Sequence, residues 1–121
     1  MPMRPPIFAA AIILLSSTSA FAAGDVARGQ ILYESRCGAC HSIQSNRTGP
    51  KHLGVVGRKA GSIAGFDYSP ALKKAKFIWT PKQLDKWLQG PGKLVRGTNM
   101  AFTVPKAEDR AAIIAYLAVA K

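Results

Sequence analysis

The stretch "CGACH", Cys37 to His41, decides how the rest of this 121-residue sequence is interpreted. Its two cysteines are the only ones in the chain, and a histidine follows the second directly. A dithiol redox site needs the Cys-x-x-Cys spacing but not this histidine, and a structural zinc site needs four ligands, usually from two such pairs. Covalent haem attachment uses all three residues, because two thiols bond to the haem vinyl groups and the imidazole binds the iron. The stretch therefore predicts one covalently bound haem, held by Cys37 and Cys40, with His41 as an axial ligand.

The first 22 residues differ in composition from the rest of the chain. One basic residue, Arg4, precedes the apolar run "IFAAAIILL", and small residues follow at positions 20 and 22. This order is typical of a secretory signal peptide, and the run is too short to cross a bilayer of ~30 Å as a helix. The sequence predicts a cleaved leader, residues 1–22, and an exported monohaem domain in the periplasm, residues 23–121. An uncleaved membrane anchor is the alternative.

The mature chain is small and strongly basic. Its length is that of one domain, and a domain of this size often needs a covalent or metal staple, which a haem would supply. Without Arg4, 16 basic and 6 acidic residues leave a net charge of +10. Such a field favours transient encounters with acidic partners. A haem-free protein that binds nucleic acid or anionic surfaces is a further hypothesis, but aromatic residues are few and no nucleic-acid-binding fold is apparent.

Periodicity and capping residues predict an all-α domain with four to five helices. The predicted helices are "DVARGQILYESR" with Asp25 as N-cap, "YSPALKKA" with Ser69, "TPKQLDKWLQG" with Thr80, and "KAEDRAAIIAYLAVAK". Residues 42–66 and 91–105 are predicted as loops, and loops this long are expected to wrap a bound group. The predicted core residues of the first helix are Val26, Ile31, Leu32 and Tyr33.

Two side chains could supply the second axial ligand of the iron. Met100, in "GTNMAF", is the only methionine after the predicted leader, and His52 is the only other histidine. We predict that Met100 is the ligand and that His52 is a solvent-exposed loop residue. His/Met ligation raises the reduction potential and fills both axial positions, which suits electron transfer better than catalysis at the metal.

Taken together, these features resemble a class I c-type cytochrome, a soluble bacterial relative of mitochondrial cytochrome c. The motifs that carry the resemblance are, in the family's order, "CGACH", "TGPKHLGVVGRKAG", "GFDYSPA", "IWT", "GTNMAF" and "RAAIIAYL". The resemblance implies a helical shell around the haem, in which the first and last helices cross where Gly29 and Tyr116 touch.

The resemblance also implies roles for residues around the haem. Pro50 matches the residue whose carbonyl accepts the second ring N–H of the ligating histidine. Arg58, Tyr68 and Trp79 match residues near the inner haem propionate, and Thr98 matches a second propionate contact. Phe102 matches the aromatic residue beside the exposed haem edge.

The chain departs from the family pattern at several positions. Trp87 stands where the mitochondrial pattern has a tyrosine near the methionine sulfur, and the loop between His41 and Gly49 is three residues shorter. Gly92 and Asn99 replace two docking lysines, and Arg96 replaces a proline. The basic residues that we predict to surround the haem edge as a docking ring are Arg36, Arg47, Lys93 and Lys106.

The leading hypothesis is a monomeric periplasmic one-electron carrier and not an enzyme. It would accept electrons from a membrane quinol-oxidising complex or a dehydrogenase and deliver them to an oxidase, a photosynthetic reaction centre or a reductase. Its contacts would be transient and made with acidic faces of those partners, without nucleic acid and without stable membrane insertion once the leader is cleaved. The alternative is a haem enzyme or gas sensor with an open sixth coordination site.

Overall fold

The computed structural model describes residues 1–6, 11–13 and 23–121, and it is helical. In these residues the helices are α1 (Ala23–Arg36), α2 (Pro70–Lys73), α3 (Pro81–Gln89), α4 (Pro91–Leu94) and α5 (Ala107–Val119). Most of the predicted apolar leader run and the predicted cleavage site lie outside the described residues. None of the helices in the described ranges has the length and apolar character needed to cross a membrane.

The predicted all-α class is confirmed. The only pairing of extended backbone in the described part of the chain is an isolated bridge between Lys59 and Ile78. The loop predicted over residues 42–66 contains no helix, whereas the loop predicted over residues 91–105 begins with α4. Pro91 occupies the first position of this single turn, where its missing N–H costs nothing.

The predicted caps of α2 and α3 are present. The Ser69 hydroxyl accepts a hydrogen bond from the Leu72 amide at 3.2 Å, and the Thr80 hydroxyl accepts one from the Gln83 amide at 3.1 Å. The Thr80 amide donates to the Ile78 carbonyl at 2.8 Å, so Gln83 does not complete a capping box. Helix α1 begins at Ala23, and Asp25 therefore lies in its first turn rather than at the N-cap.

Helices α1 and α5 cross at a position without a side chain. A Cβ atom on Gly29 would lie 1.9 Å from the Ala112 carbonyl oxygen and 3.0 Å from the Tyr116 Cβ. The backbones of the two helices thus touch directly at Gly29, and this close approach explains a glycine in the middle of a helix. Tyr33, one turn further along α1, is on the same face and is only 4% exposed.

Ile31 is not a core residue, contrary to the prediction from the sequence. It is 67% exposed. Two residues along a helix correspond to a rotation of about 200°, so a residue two positions from Gly29 faces away from α5. The composition of the helix suggested an apolar stripe, but the crossing point at Gly29 decides which side of α1 is buried.

Replacing Gly29 by alanine is expected to destabilise the protein by about 3 kcal/mol, because the new methyl group overlaps a backbone oxygen that cannot move without separating the helices. Gly92→Ala is the matched control. No atom lies within 4 Å of a Cβ built at Gly92, and alanine in this helical turn should be neutral or stabilise by roughly 0.5–1 kcal/mol. Denaturant unfolding of both holoproteins measures the difference, and equal midpoints would contradict the close helix contact.

Candidate haem site

One cavity of about 480 Å³ lies between the helices and the long loops. Its volume falls in the range of roughly 300–1,000 Å³ that cofactor and ligand sites occupy. Cys37, Cys40, His41 and Met100, the four predicted haem-holding residues, all line it. The predicted residues of the haem environment line it as well, namely Pro50, Arg58, Tyr68, Trp79, Trp87, Thr98 and Phe102. The fold thus gathers around one cavity residues that are far apart in the sequence.

A tight turn at the end of α1 presents the "CGACH" stretch to this cavity. The Cys37 amide continues the helical pattern by donating to the Tyr33 carbonyl at 2.8 Å. The Cys40 and His41 amides then both donate to the Cys37 carbonyl, at 3.1 and 2.9 Å. Both cysteines are free thiols, and burial raises the pKa of Cys37 to about 11. Two unpaired thiols on one turn match the chemistry of two thioether bonds.

The His41 ring is held in the form that binds a metal. Its Nδ1–H donates to the Pro50 carbonyl oxygen at 2.9 Å, which leaves the lone pair of Nε2 available. Burial lowers the pKa of His41, although the bond to Pro50 acts in the opposite direction. A neutral imidazole is the ligating form. The Pro50 carbonyl is thus the hydrogen-bond partner of the ring N–H that does not face a metal.

The loop beside the His41 ring has no room for a side chain at Gly49. A Cβ atom built on this glycine would lie 2.0 Å from Cε1 and 2.6 Å from Nε2 of His41. The Gly49 amide also donates to the Cys40 carbonyl at 2.8 Å, which holds the loop against the turn. Gly49 therefore allows the loop to pack directly against the ring.

Gly49→Ala is expected to displace the His41 ring, because its methyl group would overlap the ring atoms. Since Gly49 has no left-handed backbone conformation, the effect is steric and not conformational. We expect a weakened bond between His41 and the iron, seen as a changed visible spectrum and a lower denaturation midpoint of the holoprotein. Gly92→Ala should leave the spectrum unchanged and should not lower the midpoint. An unaltered spectrum in the Gly49 variant would contradict this packing.

The segment that carries Met100 is anchored on its C-terminal side. Val104 is fully buried, and its amide donates to the Leu88 carbonyl at 2.8 Å. The guanidinium group of Arg110 donates to the Val104 and Pro105 carbonyls, at 3.0 and 2.8 Å, and to the Asp85 carboxylate at 2.7 Å. Met100 itself is partly buried against the core. These bonds fix the chain at residues 104 and 105, close in sequence to Met100.

Aromatic and basic side chains form another part of the cavity wall. The Trp79 and Trp87 rings meet edge to face, with centroids 5.1 Å apart, and both are nearly buried. The Tyr68 hydroxyl accepts a hydrogen bond from the Ile63 amide at 3.0 Å. The guanidinium group of Arg58 donates to the Leu53 carbonyl at 3.3 Å, and its remaining N–H groups are available to an anionic group in the cavity.

This donor set fits a covalently attached haem. Two free thiols, an imidazole with an available nitrogen and a thioether all line a cavity whose surface is largely apolar. Imidazole and thioether are the axial ligands of c-type haems with high potentials. Arg58 supplies a positive charge, which a buried propionate requires.

His52 is not solvent-exposed, and the prediction from the sequence is wrong at this position. Its ring stacks on the His41 ring, with centroids 4.0 Å apart and an interplanar angle of 20°. Its Nδ1 lies 3.0 Å from the Tyr33 hydroxyl. Burial lowers the pKa of His52 well below its usual value, and His41 and Arg58 act in the same direction. The low pKa favours the neutral ring, and the residue is partly buried.

Backbone pairing between distant parts of one loop places His52 against His41. The His52 and Leu53 amides donate to the Ser42 and Ile43 carbonyls, both at 3.0 Å, and this places residue 52 beside the segment that follows His41. Sequence reasoning also missed the role of Tyr33, which it assigned only to the core although it lines the cavity. A hydroxyl group on a buried helix face was the signal that a polar partner was nearby.

The predicted docking residues are exposed, but their surroundings differ. Arg36 lines the cavity and pairs with the buried carboxylate of Asp109 at 3.1 Å. Arg47 donates to the Gly38 carbonyl at 2.5 Å, so it lies against the "CGACH" turn. Lys93 and Lys106 are exposed residues outside the cavity lining. Phe102 lies on the cavity wall and is 47% exposed.

Comparison with known proteins agrees with these features. The family model described as Cytochrome c matches residues 26–121. A cytochrome c of Euglena viridis is 48% identical over 101 residues, which cover 81% of this chain and 99% of that protein. Cytochrome c2 of Rhodomicrobium vannielii is 41% identical over 109 residues, covering 87% of this chain and 86% of that protein.

A solved structure supports the same assignment. Cytochrome cH from Methylobacterium extorquens shares 41% identity and a TM-score of 0.74, covering 78% of this chain and 98% of that one. Because the family model spans most of the sequence and the relatives align over nearly their whole length, the chain belongs to the class I c-type cytochromes, electron-transfer proteins that carry a covalently attached haem.

Proposed function

We propose that this protein is a periplasmic one-electron carrier in which Cys37 and Cys40 hold one haem and His41 and Met100 bind its iron. When bound, the haem supplies an iron that exchanges one electron. The observation that supports this assignment is the convergence of two free thiols, the available nitrogen of His41 and the thioether of Met100 on one cavity. Residues 1–22 are proposed to be the export signal and residues 23–121 the mature domain.

The same residues favour a carrier over an enzyme. With an imidazole and a thioether as protein ligands, both axial positions would be filled, and neither oxygen nor peroxide would have a coordination position to enter. The anchors of the Met100 segment at Val104 and Arg110 would resist loss of the thioether. A haem enzyme or gas sensor would instead need a position that opens.

The direct test uses protein expressed in a host that can attach haem. The intact mass should equal the chain starting at Ala23 plus one haem, and the haem should resist extraction into acidified organic solvent. The oxidised protein should show a sulfur–iron charge-transfer band, and the reduced protein should not bind carbon monoxide. A high-spin spectrum with ready carbon monoxide binding would instead support the enzyme or sensor hypothesis.

We further propose that the partners are acidic docking faces of membrane redox complexes or periplasmic redox enzymes, reached in transient monomeric encounters. The donor would be a quinol-oxidising complex or a dehydrogenase, and the acceptor an oxidase, a reaction centre or a reductase. The high positive charge of the chain supports this proposal. Arg36, Arg47, Lys93 and Lys106 are the proposed docking groups, together with the exposed ring of Phe102.

Electron-transfer rates with an acidic redox partner are expected to fall steeply as ionic strength rises, because salt screens the attraction between exposed charges. Electrostatic steering can accelerate association by ~10–10³-fold. Lys93→Glu removes part of this acceleration, so we expect the rate at low salt to fall severalfold. Lys82→Glu is the matched control, since it makes the same charge change at an exposed lysine on α3 that is not one of the proposed docking groups. Stopped-flow kinetics at several salt concentrations measure both. Rates that do not change with salt, or equal effects of the two substitutions, would contradict docking at the proposed face.

A further inference from the structure

We propose that His52 is a positioning residue for His41, and that its stacked ring, held by the Tyr33 hydroxyl, sets the rotation of the His41 imidazole plane. The inference rests on the proposed function in one respect, namely that His41 is an axial ligand of the iron. Neither the haem-attachment stretch nor the family resemblance gave His52 or Tyr33 a role at the haem.

The His41 ring needs a second restraint besides its hydrogen bond. The bond from Nδ1–H to the Pro50 carbonyl holds one atom of the ring, and the backbone at Gly49 packs against it, but neither contact presents a flat surface to the ring. The His52 ring lies nearly parallel to it, at a centroid distance of 4.0 Å and an angle of 20°. A flat neighbour at this distance opposes rotation, because tilting either ring brings atoms into overlap.

His52 is itself held in a defined orientation. The Tyr33 hydroxyl lies 3.0 Å from Nδ1 of His52, and we assign the hydroxyl as the donor because a phenol donates more strongly than an imidazole N–H. The Tyr33 ring meets His52 nearly edge-on, at a centroid distance of 5.6 Å. The His52 amide donates to the Ser42 carbonyl at 3.0 Å, which anchors the backbone below the ring.

Tyr33 connects this arrangement to the contact between α1 and α5. It is 4% exposed and packs on Tyr116 of α5 with ring centroids 5.4 Å apart. A row of four rings in contact thus leads from the proposed iron ligand to the helix crossing, in the order His41, His52, Tyr33 and Tyr116. An aliphatic side chain at position 52 would fill the same space, but it has no plane to stack and no acceptor for the hydroxyl.

The orientation of an axial imidazole determines how unpaired spin is distributed over an oxidised haem. The NMR shifts of the four haem methyl groups report this orientation in the oxidised holoprotein. We expect His52→Leu to change the order or spread of these shifts. Two milder variants should cause smaller changes of the same kind. His52→Phe keeps a flat ring but loses the bond to Tyr33, and Tyr33→Phe removes only the hydroxyl oxygen.

Tyr116→Phe is the matched control, because it removes a hydroxyl group from the neighbouring ring without touching His52. It should leave the methyl shifts as in the original protein. The inference is overturned if Tyr33→Phe and His52→Phe both keep the original shift pattern, and this outcome holds even where His52→Leu does not fold. If the unaltered protein lacks the spectrum of an imidazole-ligated haem, the proposed function fails as well. Altered shifts in Tyr116→Phe equal to those in Tyr33→Phe would indicate a general packing effect and would also overturn it.

Discussion

Replacing both Cys37 and Cys40 by serine is expected to give a protein without covalently bound haem. A serine hydroxyl does not add to a vinyl group under conditions in which a thiol does, so neither thioether bond can form. The intact mass should lack the haem completely, and any pigment that copurifies should pass into acidified organic solvent. Because the cavity of about 480 Å³ would lose its covalent filling, we also expect loss of cooperative folding.

The two single variants are the matched controls for this experiment. Cys37→Ser and Cys40→Ser each keep one thiol on the turn, so each should retain haem by one bond, in lower yield. Cys37 is the more buried of the two, and its replacement is expected to lower the yield more. A haem adduct on the double variant would show that attachment uses another residue, and the assignment of the "CGACH" stretch would fail.

Replacing Met100 by alanine is expected to abolish the sulfur–iron band and to lower the reduction potential substantially. A thioether is a soft ligand that stabilises the reduced iron, and its loss leaves water or another donor that stabilises the oxidised iron. Axial ligands span about 0.8 V of haem potentials, so a shift that is a large fraction of that range is expected. The variant should also bind carbon monoxide once reduced, since one axial position is then open.

Thr103→Ala is the control for Met100, because Thr103 lies in the same segment and is exposed. Its spectrum and potential should match the original protein within the error of a redox titration. If Met100→Ala keeps both the band and the potential, another residue supplies the second ligand. His52 is poorly placed to do so, because its ring lies face to face against that of His41.

The burial of Asp109 and Arg110 shows how the last helix stabilises the site from a distance. Asp109 is 2% exposed and pairs with Arg28 and Arg36 of α1, which adds charge pairing to the contact at Gly29. Arg110, the next residue, binds the segment that carries Met100. Adjacent charged residues on α5 therefore restrain both the helix crossing and the ligand loop. An amphipathic pattern alone would have placed such residues on the solvent side.

Features with a local cause could be predicted from the amino-acid sequence. The attachment stretch is predictable because its chemistry needs three residues within five positions, and the starts of α2 and α3 because Ser69 and Thr80 cap amides three residues away. Met100 could be singled out because no other methionine follows the leader. None of these inferences required knowledge of which segments come together.

The environment of residues whose partners are distant in the sequence depends on how the segments pack together. His52 looked like an exposed polar loop residue, and it is partly buried because the backbone bonds of residues 52 and 53 to Ser42 and Ile43 bring it onto the His41 ring. Ile31 looked like a core residue, and it is exposed because Gly29 sets the face of α1 that meets α5. The burial of a side chain depends on what the rest of the chain places against it, and local patterns do not contain that information.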